Sequence, residues 1–135
     1  MIDNTRAGSV HQKKGVSIMA VQVDSEQYAN YAAADDYLVG ILPDNAIITD
    51  AYVFTQSASD AGAVTLGTTA GGSEVMSAGD STATGKSGTF TAATDTGTGK
   101  SLYMGIAAAA TQGEFVVIVE YIEYTLNTGN LTKIN

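Results

Sequence analysis

Residues 37–57 read YLVGILPDNAIITDAYVFTQS, two apolar runs that meet at Leu42-Pro43-Asp44-Asn45. Proline has no N–H to give to a strand ladder, so Pro43 ends the first run, and Asp44-Asn45 supplies turn chemistry. Residues 113–124, GEFVVIVEYIEY, form a further run dense in Val, Ile, Phe and Tyr, the side chains that suit a pleated, half-buried surface. Most of the sequence around these runs is small, polar and turn-forming. The pattern restricts the chain to a compact all-β module and displays no reaction centre.

The remaining strands follow from alternation. In residues 16–23 (VSIMAVQV), Val16 and Ile18 alternate with Ser17, while Met19, Val21 and Val23 alternate with Ala20 and Gln22. The phase slips at Ile18-Met19 and predicts a bulge, since one extra residue flips the face. Residues 24–36 fit either a short helix capped by Asp24 or Ser25, or a loop carrying Tyr28 and Tyr31. Residues 46–57 form the strand after the corner. Ile48, Tyr52 and Phe54 alternate poorly there, which predicts burial on both faces or a second bulge. Short strands are expected at 63–67 and 73–77, and longer ones at 101–109 and 114–126. Residues 78–99 are Gly, Ser, Thr, Ala and Asp with Phe90 as the sole aromatic; one strand near 89–92 is expected inside long loops. Seven to nine strands with turns at regular intervals indicate a β-sandwich or jelly roll. The expected organisation is a polar N-terminal arm over 1–14, one sandwich domain over 15–126 and a polar tail over 127–135.

A chain of 135 residues suits one domain, and at that size about two-thirds of the unfolded surface can be buried without staples. There is no cysteine, which removes disulfides, thiolate metal sites and cysteine nucleophiles. The net charge of −8, from 14 acidic and 6 basic residues, opposes a phosphate backbone or an anionic membrane, so neither nucleic acid nor membrane is expected as a partner. Half of the positive charge (Arg6, Lys13 and Lys14) lies in the arm. The first residues lack the apolar core of a signal peptide, and the apolar run 115–119 is too short to span a bilayer. A soluble protein made in the cytosol is expected.

No catalytic, cofactor or metal residue is expected. Residues 80–87 and 94–101 both end in Gly-Lys-Ser and superficially match a phosphate-binding loop. That loop needs a glycine where this chain has Asp80 or Thr94, and an aspartate there sets negative charge against the ligand. Glu120 and Glu123 have opposite parity on one strand, so they cannot face each other across a cleft as glycoside hydrolysis requires. Asp80 and Asp95 lack the spacing of a calcium loop. His11, the only histidine, lies in the arm with nothing rigid to position it as a base. Seven tyrosines against three phenylalanines suit an interface, because tyrosine gives buried area with a polar tip; they equally suit a sandwich edge. The interface candidates are Lys13, Lys14, Tyr28, Tyr31, Tyr37, Tyr121 and Tyr124.

The order of segments is a polar arm, VSIMAVQVD, YLVGILPDNAIITDAYVFTQSASDAGAVTLGTTAGG, a variable Gly/Ser/Thr stretch, and SLYMGIAAAATQGEFVVIVEYI. It resembles the small virion structural proteins of tailed bacteriophages of the head-decoration, or cement, type. Leu42, Pro43, Ala46, Val53, Val64, Gly67, Gly113 and residues 116–121 carry the resemblance, which spans residues 16–124. It implies a jelly-roll-like antiparallel β-sandwich, often a homotrimer. Such a protein binds the major capsid protein on the outside of an assembled capsid and stabilises it, residing on the virion after synthesis in the host cytoplasm. It carries over no functional residue. Residues 1–14 are expected to act as a clamp on the particle, with 127–135 as a second candidate. The alternative is a glycan- or receptor-binding β-module of a virion fibre or tail, using the tyrosines and the loops of 78–99. A hydrolase ranks last, for want of a nucleophile–base pair or facing carboxylates.

Overall fold

A computed structural model describes residues 16–91, 94–95 and 99–123. The described residues form ten strands: β1 (Ser17–Val23), β2 (Asp36–Leu42), β3 (Ala46–Ser57), β4 (Ala63–Gly67), β5 (Met76–Asp80), β6 (Gly85–Ser87), β7 (Thr89–Phe90), β8 (Thr94–Asp95), β9 (Lys100–Ile106) and β10 (Glu114–Glu123). One sheet, called A here, runs β1-β10-β3-β6, with β8 also paired to β3; the other, B, runs β2-β9-β4-β5-β7. Every pairing is antiparallel. Setting aside the two-residue β7 and β8, the order is first–last–third–sixth in one sheet and second–penultimate–fourth–fifth in the other. That is the jelly roll, an all-β sandwich in which the chain crosses repeatedly between two sheets.

The core lies between the sheets. Val23, Ile48, Val53, Phe115, Val117 and Val119 enter it from sheet A, and Leu42, Val64, Leu66, Met76, Leu102 and Met104 from sheet B. Strand β10 alternates buried and half-buried residues along most of its length, as a strand with one face on the core must. Strand β3 buries Ala46 and Ile48, then Ala51, Val53 and Thr55. The change of phase coincides with register shifts against β10 that leave Thr49 and Gln56 as extra residues. Of the two explanations that its poor alternation allowed, burial on both faces or a bulge, the register shifts match the bulge.

Two expectations need correction. Strand β1 has no bulge: its register with β10 runs unbroken from Ser17↔Tyr121 to Val23↔Phe115. Its core face is Ser17, Met19, Val21 and Val23, and Ile18 simply points outward, 62 % exposed. The apparent slip came from assuming that an isoleucine must face in. Residues 78–99 also hold more strand than expected, because small polar strands can be tied by hydrogen bonds without an apolar pattern. The Ser87 hydroxyl accepts from Asp80 N–H at 2.9 Å and donates to Asp80 C=O at 3.0 Å, and the buried Ser81 hydroxyl donates to Gly62 C=O at 2.8 Å. The strand expected at 73–77 lies at Met76–Asp80. The ambiguous residues 24–36 hold one 3-10 turn at Tyr28–Tyr31.

In this topology the connections β1–β2, β3–β4, β5–β6 and β9–β10 gather at one end of the sandwich, where they are laced together. Ser59 N–H donates to Ser81 C=O at 2.8 Å, Ala108 N–H to Ala61 C=O at 2.9 Å, and Ala110 N–H to Tyr31 C=O at 3.0 Å.

Candidate interaction surfaces

Three cross-strand rows build the outer face of sheet A: Ile18–Glu120–Asp50, Ala20–Ile118–Tyr52 and Gln22–Val116–Phe54–Lys86. The centre is apolar, formed by Ala20, Ile118, Tyr52, Val116 and Phe54, and Phe54 is 41 % exposed. Lys86 closes one corner with its ammonium 4.5 Å over the Tyr52 ring, an attraction between a cation and the ring quadrupole. At the opposite end Glu120 and Asp50 are direct cross-strand neighbours. Like charges in that position repel, and a cationic group on a partner would relieve them. This surface escapes sequence reading because its members come from four strands whose register must be known first.

Sheet B carries a shallow notch of about 420 Å³ whose lining includes Asp36, Thr65 and Gly105. These three are one cross-strand row. A Cβ on Gly105 would sit 2.8 Å from both Asp36 Oδ1 and Thr65 Oγ1, so the glycine leaves a carboxylate and a hydroxyl converging over bare backbone. That pair can accept and donate hydrogen bonds. Asp35 also lines the notch, its carboxylate accepting from Asp36 N–H at 2.8 Å, and among the described residues no group of three or more His, Asp or Glu is placed to hold a metal.

Of the residues singled out from sequence, Lys13, Lys14, Tyr124 and His11 lie outside the described residues. Tyr28, Tyr31, Tyr37 and Tyr121 are half-buried and pack against the core. The Tyr31 and Tyr37 rings meet edge to face at 4.9 Å. Tyr37 OH donates to Ala33 C=O at 2.7 Å, and Tyr28 OH to Gly113 C=O. Partial burial, then the carboxylates of Glu114, Asp60 and Asp24, hold the Tyr28 hydroxyl above its ordinary pKa. Burial, then Tyr37, does the same for Tyr31. The structure thus brings Tyr31 and Tyr37 together and leaves Tyr121 on β10. The Gly-Lys-Ser of residues 85–87 is strand β6, paired to β3, and Lys100-Ser101 opens β9; neither precedes a helix.

Several acidic residues pin loops. Asp60 accepts from Thr111 N–H at 2.7 Å, Gln112 N–H at 3.3 Å and the Thr111 hydroxyl, clamping the β3–β4 turn to the β9–β10 connection. Glu74 accepts from Thr68 N–H at 2.7 Å and its hydroxyl at 2.6 Å, and Asp80 holds Thr82 in the same way at 2.8 and 2.6 Å. The threonine hydroxyl is the leading cause in each case. It holds Asp60 and Asp80 below their ordinary pKa and Glu74 down from 4.5 to about 2. A carboxyl whose folded pKa is depressed stabilises the fold fully above its unfolded value and loses that contribution as pH falls toward the folded one. The melting temperature should therefore decline as pH drops from about 4.5 to about 2. Thr68→Val should make that decline shallower, as followed by thermal melts; a melting temperature indifferent to acid would contradict these bonds.

Searches against protein families and against curated proteins find no match to this chain. No helix among the described residues is long and apolar enough to cross a membrane.

Proposed function

We propose that this chain is a virion structural protein of a tailed bacteriophage that binds the outside of the assembled capsid and stabilises it, with no catalytic role. The observation that carries the reading is the apolar outer face of sheet A, rimmed by Asp50, Glu120 and Lys86. Aromatic residues at the centre of a patch with charges at its rim are the anatomy of a protein interface. The major capsid protein is the partner this reading names, with a complementary apolar surface and a basic group opposite Asp50 and Glu120. Self-association belongs to the reading, and the resemblance implies a trimer; linked copies would bind a repeating lattice more tightly than single ones. Residues 1–14 would add contact area on docking.

Co-sedimentation of the purified protein with heads of the phage that encodes it, stripped of this protein, tests the proposal. Saturable binding is expected. Phe54→Glu should weaken it by about tenfold or more without changing the far-UV circular dichroism, because the side chain is exposed. Removing residues 1–14 should abolish it with the domain still folded. Wild type that fails to pellet with heads would overturn the proposal.

The Asp36–Gly105–Thr65 notch favours a second reading, a glycan- or receptor-binding module of a fibre or tail. Binding on a glycan array that is lost in Asp36→Asn would support it over the first.

A further inference from the structure

Among the described residues, the edges of the two sheets are unlike one another. On one side of the sandwich they end in β6, β8 and β7, strands of two or three residues. On the other side they end in β1 and β2, seven residues each, where Met19 packs over Gly40. An edge strand presents a row of unpaired N–H and C=O groups, and proteins blunt such rows with short strands, charges, prolines or bulges. Strand β2 has two of these devices, the charge of Asp36 and a register shift that leaves Val39 as an extra residue. Strand β1, SIMAVQV, has none: its register is unbroken, and it holds neither charge nor proline. Its inward side chains Met19 and Val21 are only half-buried, and Val16, just before it, and Ile18, near its start, are 60 % and 62 % exposed.

We propose that a second copy of this chain pairs antiparallel along β1 about a two-fold axis, joining two A sheets into one continuous sheet. The proposal rests on the self-association in the functional reading and departs from it in symmetry. Charge selects the occupant. A chain of net charge −8 repels its own copies over most of its surface, and β1 is a neutral strip where two copies can approach. A basic partner finds no carboxylate on β1 to pair with. The strand is also self-complementary, since an antiparallel pair about a two-fold matches equal lengths and brings Ile18 and Ala20 beside uncharged neighbours. A trimer needs a different edge as the mate of β1, and the other edges are bulged, charged or very short. The pair would also set two apolar outer faces side by side, doubling the surface offered to a lattice.

Light scattering and amide exchange on the purified full chain test this without any capsid. Wild type should have the mass of a dimer, and the amides of residues 18–22 should all be protected. An open edge protects only alternate ones, those bonded to β10. Ala20→Glu, which sets two carboxylates close across the axis, should weaken the dimer by about tenfold or more. Gln22→Glu, isosteric and exposed, adds a carboxylate to each copy on the same strand and should do likewise, so it remains informative if the first variant misfolds. A monomer at about 100 μM, where even a weak pair of μM affinity would form, overturns the proposal. So does a trimer, a dimer indifferent to both variants, or a monomer that dimerises only once residues 1–14 are removed. Failure here leaves head binding to be judged by its own assay, and a wild-type dimer that ignores heads sinks the functional reading alone.

Discussion

Phe115→Ala should cost about 3–5 kcal/mol of stability and lower the melting temperature by roughly 10–20 °C. Phe115 is 1 % exposed and is the largest of the fully buried side chains. Of the other two phenylalanines, Phe54 points to solvent and Phe90 is only partly buried. The rest of the fully buried set is chiefly Leu, Ile, Met and Val, so one ring fills a space that the aliphatic neighbours leave open. It sits on β10 between Val23 of β1 and Thr55 of β3, strands that cannot collapse inward without giving up their ladders. A domain of this kind holds about 5–15 kcal/mol in total, so the variant falls near the limit of folding. Urea titration is the check, with the midpoint falling and the slope preserved. Phe115→Leu, which keeps most of the volume, should cost under about 1.5 kcal/mol. A loss below about 1 kcal/mol for the alanine variant would mean that this face of the core is loosely packed. Because Phe115 points away from the outer face of sheet A, the folded fraction should still bind particles as wild type does, whereas Phe54→Glu should fold normally and bind poorly.

The sequence made the apolar strands legible and left the polar ones hidden. Strand β3 was readable to the residue because Pro43 punctuates its start, and its bulge showed as a broken alternation; the same signal misled at Ile18, where an exposed isoleucine mimicked a phase change. Strands β6 and β8 carry no apolar pattern, and β6 is tied to β5 through Ser87 and Asp80. No periodicity reports a hydroxyl that replaces a methyl group as the glue. The tyrosines were legible as half-buried and amphipathic, which does not separate packing on the core from contact with a partner. The outer face of sheet A was not legible at all. Ile118 and Tyr52 are neighbours only because the last strand inserts between the first and the third, a long-range pairing that alternation within each strand cannot specify. The jelly-roll order supplies what the local patterns lack.

Gly113→Ala should rank with Phe115→Ala, at about 2–4 kcal/mol, for two reasons that can be separated. Gly113 has φ of +80°, a region where an L side chain crowds the following carbonyl. It also lies against the β3–β4 turn: a Cβ there would run into the Ala58 carbonyl oxygen and come within 2.6 Å of that of Ser57. Both obstacles are backbone and cannot rotate away. The Gly113 carbonyl accepts the Tyr28 hydroxyl, and the two residues before it are held by Asp60. Displacing this glycine therefore loosens the whole laced end of the sandwich. Asparagine adopts positive φ with little penalty yet carries the same Cβ. If Gly113→Asn is as damaging as Gly113→Ala in urea titrations, the close approach dominates; if it recovers most of the loss, the backbone conformation does. The crowding favours the first outcome, and amide exchange should then show Thr111 and Gln112 released from Asp60 in both variants. Either variant retaining wild-type stability would mean that the β3–β4 turn yields freely, and the lacing would no longer account for a rigid end to the sandwich.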